Sequence, residues 1–135
     1  MYNNTHQRGI IMFGEESIYG QSIIHLDDKK RIILPKFTSA EKGDKLVIVR
    51  KKGRLYVERE DILDSKIKEQ ERLCYRSTNP EETKEEIELF KMYSSILKKV
   101  TCDSQGRITL GDVTDSDEIK CIGARESLIL EPQKK

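Results

Sequence analysis

Apolar residues fall into short alternating runs in two stretches of this chain, and into a helical period in the stretch between them. Residues 22–26 and 31–34 read as strands, the second closed by Pro35, which cannot donate to a strand ladder. Residues 36–42 read as a connector or a single helical turn, ended by Gly43. The apolar run at 45–49 is of the kind buried on both faces, and Lys51-Lys52-Gly53 predicts a tight turn into a partner strand at 54–57. The period then changes. Residues 61–72 predict a helix carrying Ile62, Leu63 and Ile67, with Leu73 next along the same pattern. Ser77-Thr78-Asn79-Pro80 interrupts it, and Asn79-Pro80-Glu81-Glu82 combines a cap residue, Pro at the first helical position and a capping-box Glu. The second helix runs to Ile96 or Leu97, with Ile87, Phe90, Tyr93 and Leu97 on one stripe. Two narrow stripes joined by a short break predict a helical hairpin laid on the sheet or on a neighbouring subunit.

The strand pattern returns at 99–102, 107–110, 118–122 and 128–130, so the chain contains an internal repeat. Its centre is a turn present twice: Asp27-Asp28-Lys29-Lys30-Arg31 before Ile32-Ile33-Leu34, and Asp103-Ser104-Gln105-Gly106-Arg107 before Ile108-Thr109-Leu110. The two aspartates are 76 residues apart, a spacing that suits two halves of one small domain. Repeat one spans 18–57, the helical link 58–97 and repeat two 98–131, with a flexible arm at 1–17 (a weak strand at 10–13) and a tail at 132–135. Residues 111–115 read as loop. The fold class expected is β-rich α+β, with two four-stranded halves of interleaved hairpins closing one barrel and so removing exposed edges.

A length of 135 residues suits one domain with a modest core. No run approaches the ~18 apolar residues of a membrane span, and no signal-peptide pattern opens the chain, so a cytoplasmic protein is expected. Cys74, Cys102 and Cys121 share no metal-type spacing and read as reduced thiols. The net charge of +1 hides a segregation. Residues 27–54 carry ten Lys or Arg against four Asp or Glu, whereas residues 58–91 carry seven against eleven. A basic module beside an acidic spacer is what a polyanion-binding face looks like, the plain alternative on charge alone being a solvated lysine-rich surface.

The turn itself carries the candidate chemistry. An Asp opening a tight turn accepts the backbone N–H groups just ahead of it and braces the Arg, whose planar fork then points outward. Such an Arg takes phosphate oxygens, or O6 and N7 of guanine, as a bidentate pair. Lys29 and Lys30 add attraction for phosphate. The plain alternative is a hairpin with a surface Asp–Arg pair of little energetic value.

Residues 26–37, Leu-Asp-Asp-Lys-Lys-Arg-Ile-Ile-Leu-Pro-Lys-Phe, resemble the first motif of the MraZ family of bacterial transcriptional regulators. Asp103 to Ile108 resembles the second motif, Gly20 matches the family's N-terminal Gly, and the helix after Asn79-Pro80 falls at the family's helical link. The resemblance covers about residues 18–131, in order. It implies an AbrB-like double-split barrel of swapped hairpins, self-assembly into a ring-shaped homo-oligomer, and binding of double-stranded DNA at repeated G-rich promoter boxes, usually as a repressor of a division and cell-wall gene cluster. A nucleoid-associated location follows from the same reading. Arg31 and Arg107 take the family's DNA-contacting positions, Lys29, Lys30 and Lys36 supply cations beside them, and Asp27, Asp103 and Gly106 shape the turns. The chain departs from the family where Lys30 replaces the Gly before the first Arg, and where 112–116 replaces a helix after the second motif.

No cofactor, metal or small-molecule substrate is expected, and enzymatic chemistry is disfavoured. His6 and His25 are the two histidines, no Ser-His-Asp or Cys-His set stands out, and no Gly-rich phosphate loop is present. His25 reads as a packed or surface side chain, and Tyr56, Phe90 and Tyr93 read as core or interface side chains. One alternative in the same fold is an AbrB-like antitoxin or transition-state regulator with a protein partner; another, of a different class, is an oligomeric assembly domain that binds no DNA.

Overall fold

The structure is a computed structural model that describes residues 18–76 and 81–134. The arm, its strand at 10–13 and the Asn79-Pro80 helix start lie outside the described residues. The order is β1 (Gln21–His25), β2 (Arg31–Ile33), a 3-10 turn (Lys36–Thr38), β3 (Lys45–Lys51), β4 (Arg54–Arg59), α1 (Glu60–Arg76), α2 (Glu81–Ser95), β5 (Ile96–Thr101), β6 (Arg107–Thr109), a 3-10 turn (Gly111–Val113), β7 (Glu118–Ala124) and β8 (Ser127–Pro132). The described residues thus form a β-rich α+β domain of eight strands and two helices.

Six strands form one antiparallel sheet in the order β1-β7-β8-β4-β3-β5, and β2 pairs with β6 in a separate ribbon. Within each repeat one hairpin pairs with itself, β3 with β4 and β7 with β8. Every other pairing crosses between repeats: β1 with β7, β5 with β3, β4 with β8, β2 with β6. The interleaving expected from the repeat is therefore present. Hydrogen bonding does not close the sheets into a barrel, since β1 and β5 remain the two edges.

Alternation along β3 explains the layers. Leu46 and Ile48 point into the main core, where Ile32, Leu34, Ile108 and Leu110 of the ribbon region meet Leu55, Val57, Ile119, Cys121, Leu128 and Leu130. Val47 and Val49 point to the opposite face and pack against Leu63 and Ile67, which are four apart on α1, and against Leu89 and Met92 of α2. The molecule is therefore ribbon, sheet and helical hairpin in three layers. The β3–β4 turn is a two-residue turn with Lys52 at φ 50° and Gly53 at φ 79°, the left-handed pair whose twist matches the flanking strands.

Several expected boundaries shift. Helix α1 extends four residues past 72. Helix α2 ends at Ser95, and Ile96 and Leu97 belong to β5, because Ile96 pairs with Val49 of β3. The stripe of Ile87, Phe90 and Tyr93 faces solvent instead of the sheet, with Phe90 71% exposed; Leu89 and Met92 make the packed face. Gly111–Val113 forms a 3-10 turn where loop was expected, and Pro132 ends β8 instead of beginning a tail. No helix among the described residues is long and apolar enough to cross a membrane.

Candidate nucleic-acid interface

The two turns carry the same hydrogen bonds. Asp27 Oδ1 accepts the backbone N–H of Lys29 and of Arg31, both at 2.9 Å, and Oδ2 accepts Arg31 Nε at 2.8 Å. In the second copy Asp103 Oδ1 accepts N–H of Gln105 and Arg107 at 2.9 Å, and Oδ2 accepts Arg107 Nε at 2.9 Å. The backbone closes each loop: Lys30 N–H donates to Asp27 O at 3.0 Å and Gly106 N–H to Asp103 O at 3.1 Å. The backbone N–H of the arginine is the leading cause holding each carboxyl below its ordinary range, and the guanidinium adds to it. Because Nε is committed to the Asp, each partly exposed fork is held in one orientation.

Lys30 sits at φ 61° where Gly106 sits at φ 76°. A side chain at that conformation costs on the order of 1 kcal/mol, and the turn keeps its shape regardless. The carbonyl of each of these residues reaches across the ribbon: Lys30 O accepts Leu110 N–H and Gly106 O accepts Leu34 N–H, both at 2.8 Å. The turns are thereby locked to each other through β2 and β6.

Register then brings the arginines together. Arg31 stands opposite Thr109 and Arg107 opposite Ile33, on either side of the Ile32–Ile108 pair. Ile32 and Ile108 are buried in the core, so the four flanking side chains share the outward face. With strand rise and spacing at their usual values, the arginine Cα atoms are ~8 Å apart on that face.

The lysines distribute in a way the linear sequence hides. Lys29 and Lys30 are exposed on the first turn. Lys36, although in repeat one, is exposed two residues after Leu34, whose N–H donates to Gly106 O of the second turn. Lys98 of β5 escaped the sequence reading: a Cβ at Gly111 would meet its Nζ at 2.9 Å, and Gly111 N–H reaches Lys30 O at 3.4 Å. Cross-repeat pairing thus brings Lys98 of the second half beside Gly111, whose N–H meets the first turn at Lys30 O.

The basic module does not form a single face. Lys45 lies opposite Thr101, just before the second turn, whereas Arg50, Lys51 and Lys52 lie at the other end of β3, roughly 20 Å away at ~3.3 Å per residue. They line a groove of about 620 Å³ with Lys66 and Lys91 of the helices. Its cations are partly neutralised, since Lys51 Nζ is 2.7 Å from buried Glu58 and Lys66 pairs with Glu126. His25 is exposed, with Nε2 3.4 Å from Glu118. Among the described residues no cluster of three or more His, Cys, Asp or Glu is placed to hold a metal ion. A comparison with models of known protein families finds none that matches the chain, and a search of curated proteins likewise finds no match.

Proposed function

We propose that this chain is a sequence-specific transcriptional regulator of the MraZ type, in an AbrB-like double-split barrel arrangement, which binds double-stranded DNA through Arg31 and Arg107. The observation that carries the reading is the identity of the two Asp–Arg turns, bond for bond, on one outward ribbon face. Two oriented forks ~8 Å apart, flanked by Lys29, Lys30, Lys36 and Lys98, suit a β-ribbon entering a major groove about 12 Å wide. Repeated G-rich boxes of a promoter are the expected target, and repression the expected outcome. Self-assembly as a homo-oligomer is supported by the exposed apolar side chains Ile87, Phe90 and Tyr93 on α2 and Leu97 on edge strand β5.

Selection of bound sequences from random duplex DNA, followed by titration of the selected site at several salt concentrations, tests the reading. Arg31→Ala and Arg107→Ala each abolish preference for the selected site without changing oligomer size, and wild-type affinity falls steeply with salt. A flat salt dependence with no enriched sequence supports the assembly-only alternative.

A further inference from the structure

The outward face of the ribbon holds two exposed side chains besides the arginines, Ile33 and Thr109. Ile33 is 56% exposed, although its neighbour Ile32 and its cross-ribbon neighbour Ile108 are buried. Thr109 is exposed beside Arg31. Ile33 is thus an aliphatic side chain held largely in water opposite Arg107, on a three-residue strand whose inward position, Ile32, supplies the core contact.

We propose that Ile33 and Thr109 read thymine methyl groups at base pairs next to the guanines taken by Arg107 and Arg31. This rests on the DNA-binding reading above and adds to it a specificity determinant. The geometry follows from register. Pairs 31/109 and 33/107 are the ribbon's non-hydrogen-bonded pairs, because Lys30 O accepts Leu110 N–H and Leu34 N–H reaches Gly106 O. Side chains in such pairs lie closest, with Cα atoms ~4.5 Å apart. Each arginine therefore has one methyl-bearing neighbour directly across the ribbon on the same outward face. The C5 methyl of thymine is the one apolar feature on the major-groove edge, and it is matched by aliphatic and Thr methyl groups. The pseudo-symmetry makes the two sides chemically unequal: a larger apolar surface next to Arg107, a methyl and a hydroxyl next to Arg31.

Deoxyuridine substituted for thymine, one position at a time in the selected duplex, removes only the methyl group. Wild-type protein loses about four-fold in affinity at one or two positions, the worth of one buried methyl-sized group. Ile33→Ala loses that sensitivity at the position near the Arg107 guanine and Thr109→Ser at the position near the Arg31 guanine, with unchanged melting temperature and oligomer size. Equal wild-type affinity for thymine and uracil duplexes overturns the proposal, as does full methyl sensitivity in Ile33→Ala. Failure of wild-type protein to bind any duplex overturns the DNA reading itself, and this inference with it.

Discussion

Lys30 and Gly106 hold the same place in two copies of one turn, with φ at 61° and 76°. The first copy therefore keeps a strained side chain where the second has the residue that fits without strain. Lys30→Gly relieves the strain but increases the freedom of the unfolded chain, so a net gain of roughly 0.5–1 kcal/mol is expected in urea unfolding. Gly106→Lys moves stability the other way by a similar amount. If Lys30 is retained for DNA phosphate, Lys30→Gly also lowers the slope of log affinity against log salt by about one contact.

The turns respond to acid. Asp27 and Asp103 both have carboxyl pKa values lowered from the ordinary value of 3.8, chiefly by the backbone N–H of Arg31 and Arg107. Their contribution is complete above the unfolded-state pKa and disappears as pH falls through the lower folded-state values. The melting temperature of wild-type protein is thus expected to fall with decreasing pH in the region below 3.8 more steeply than that of the double variant Asp27→Asn, Asp103→Asn. Parallel curves for the two proteins would show that the carboxylates do not brace the turns.

Legibility in the sequence followed the range of the interactions. The Asp–Arg turns are local, made within five residues, and their type is readable from the chain. The β3–β4 hairpin is readable in Lys52-Gly53 for the same reason. The end of α2 is not: Met92 and Ile96 are four apart, so the helical period runs on, and only pairing with distant Val49 converts Ile96 to strand. Helix α2 also has two helically spaced apolar sets, Ile87/Phe90/Tyr93 and Leu89/Met92, and periodicity alone does not choose which faces β3. At the site, Lys98 and the Ile33–Thr109 face depend on the register between repeats, which no local pattern encodes.

Adjacent isoleucines should behave oppositely. Ile32 is fully buried against the sheet, whereas Ile33 is on the solvent face. Ile32→Ala is expected to cost 2–5 kcal/mol, roughly the range for emptying a well-packed core position, while Ile33→Ala changes stability by less than ~0.5 kcal/mol, as is usual at the surface. Chemical denaturation of both variants checks this. A large loss at Ile33 would mean that another copy or an undescribed part of the chain covers it.

The helical hairpin provides the last test, because Ile87 and Phe90 of its exposed stripe face solvent. Gln70 Nε2 bonds to Glu85 Oε2 at 2.7 Å and Tyr93 donates to Glu71 at 3.1 Å, so α1 and α2 are tied to each other without Ile87 or Phe90. Leu89 and Met92 already hold α2 on the sheet. Burial of Phe90 in an interface between copies would remove a large aromatic surface from water, and aromatic anchors commonly dominate such contacts. A charge introduced there would be desolvated on assembly without a partner. Phe90→Glu is therefore expected to shift the protein to smaller species in analytical ultracentrifugation, with unfolding of the dispersed domain changed by less than ~0.5 kcal/mol. Under the DNA-binding proposal, affinity should also fall at a site with several boxes, where linked subunits gain from effective concentration, and change little at a single box. An unchanged sedimentation profile for Phe90→Glu would exclude this stripe from the interface.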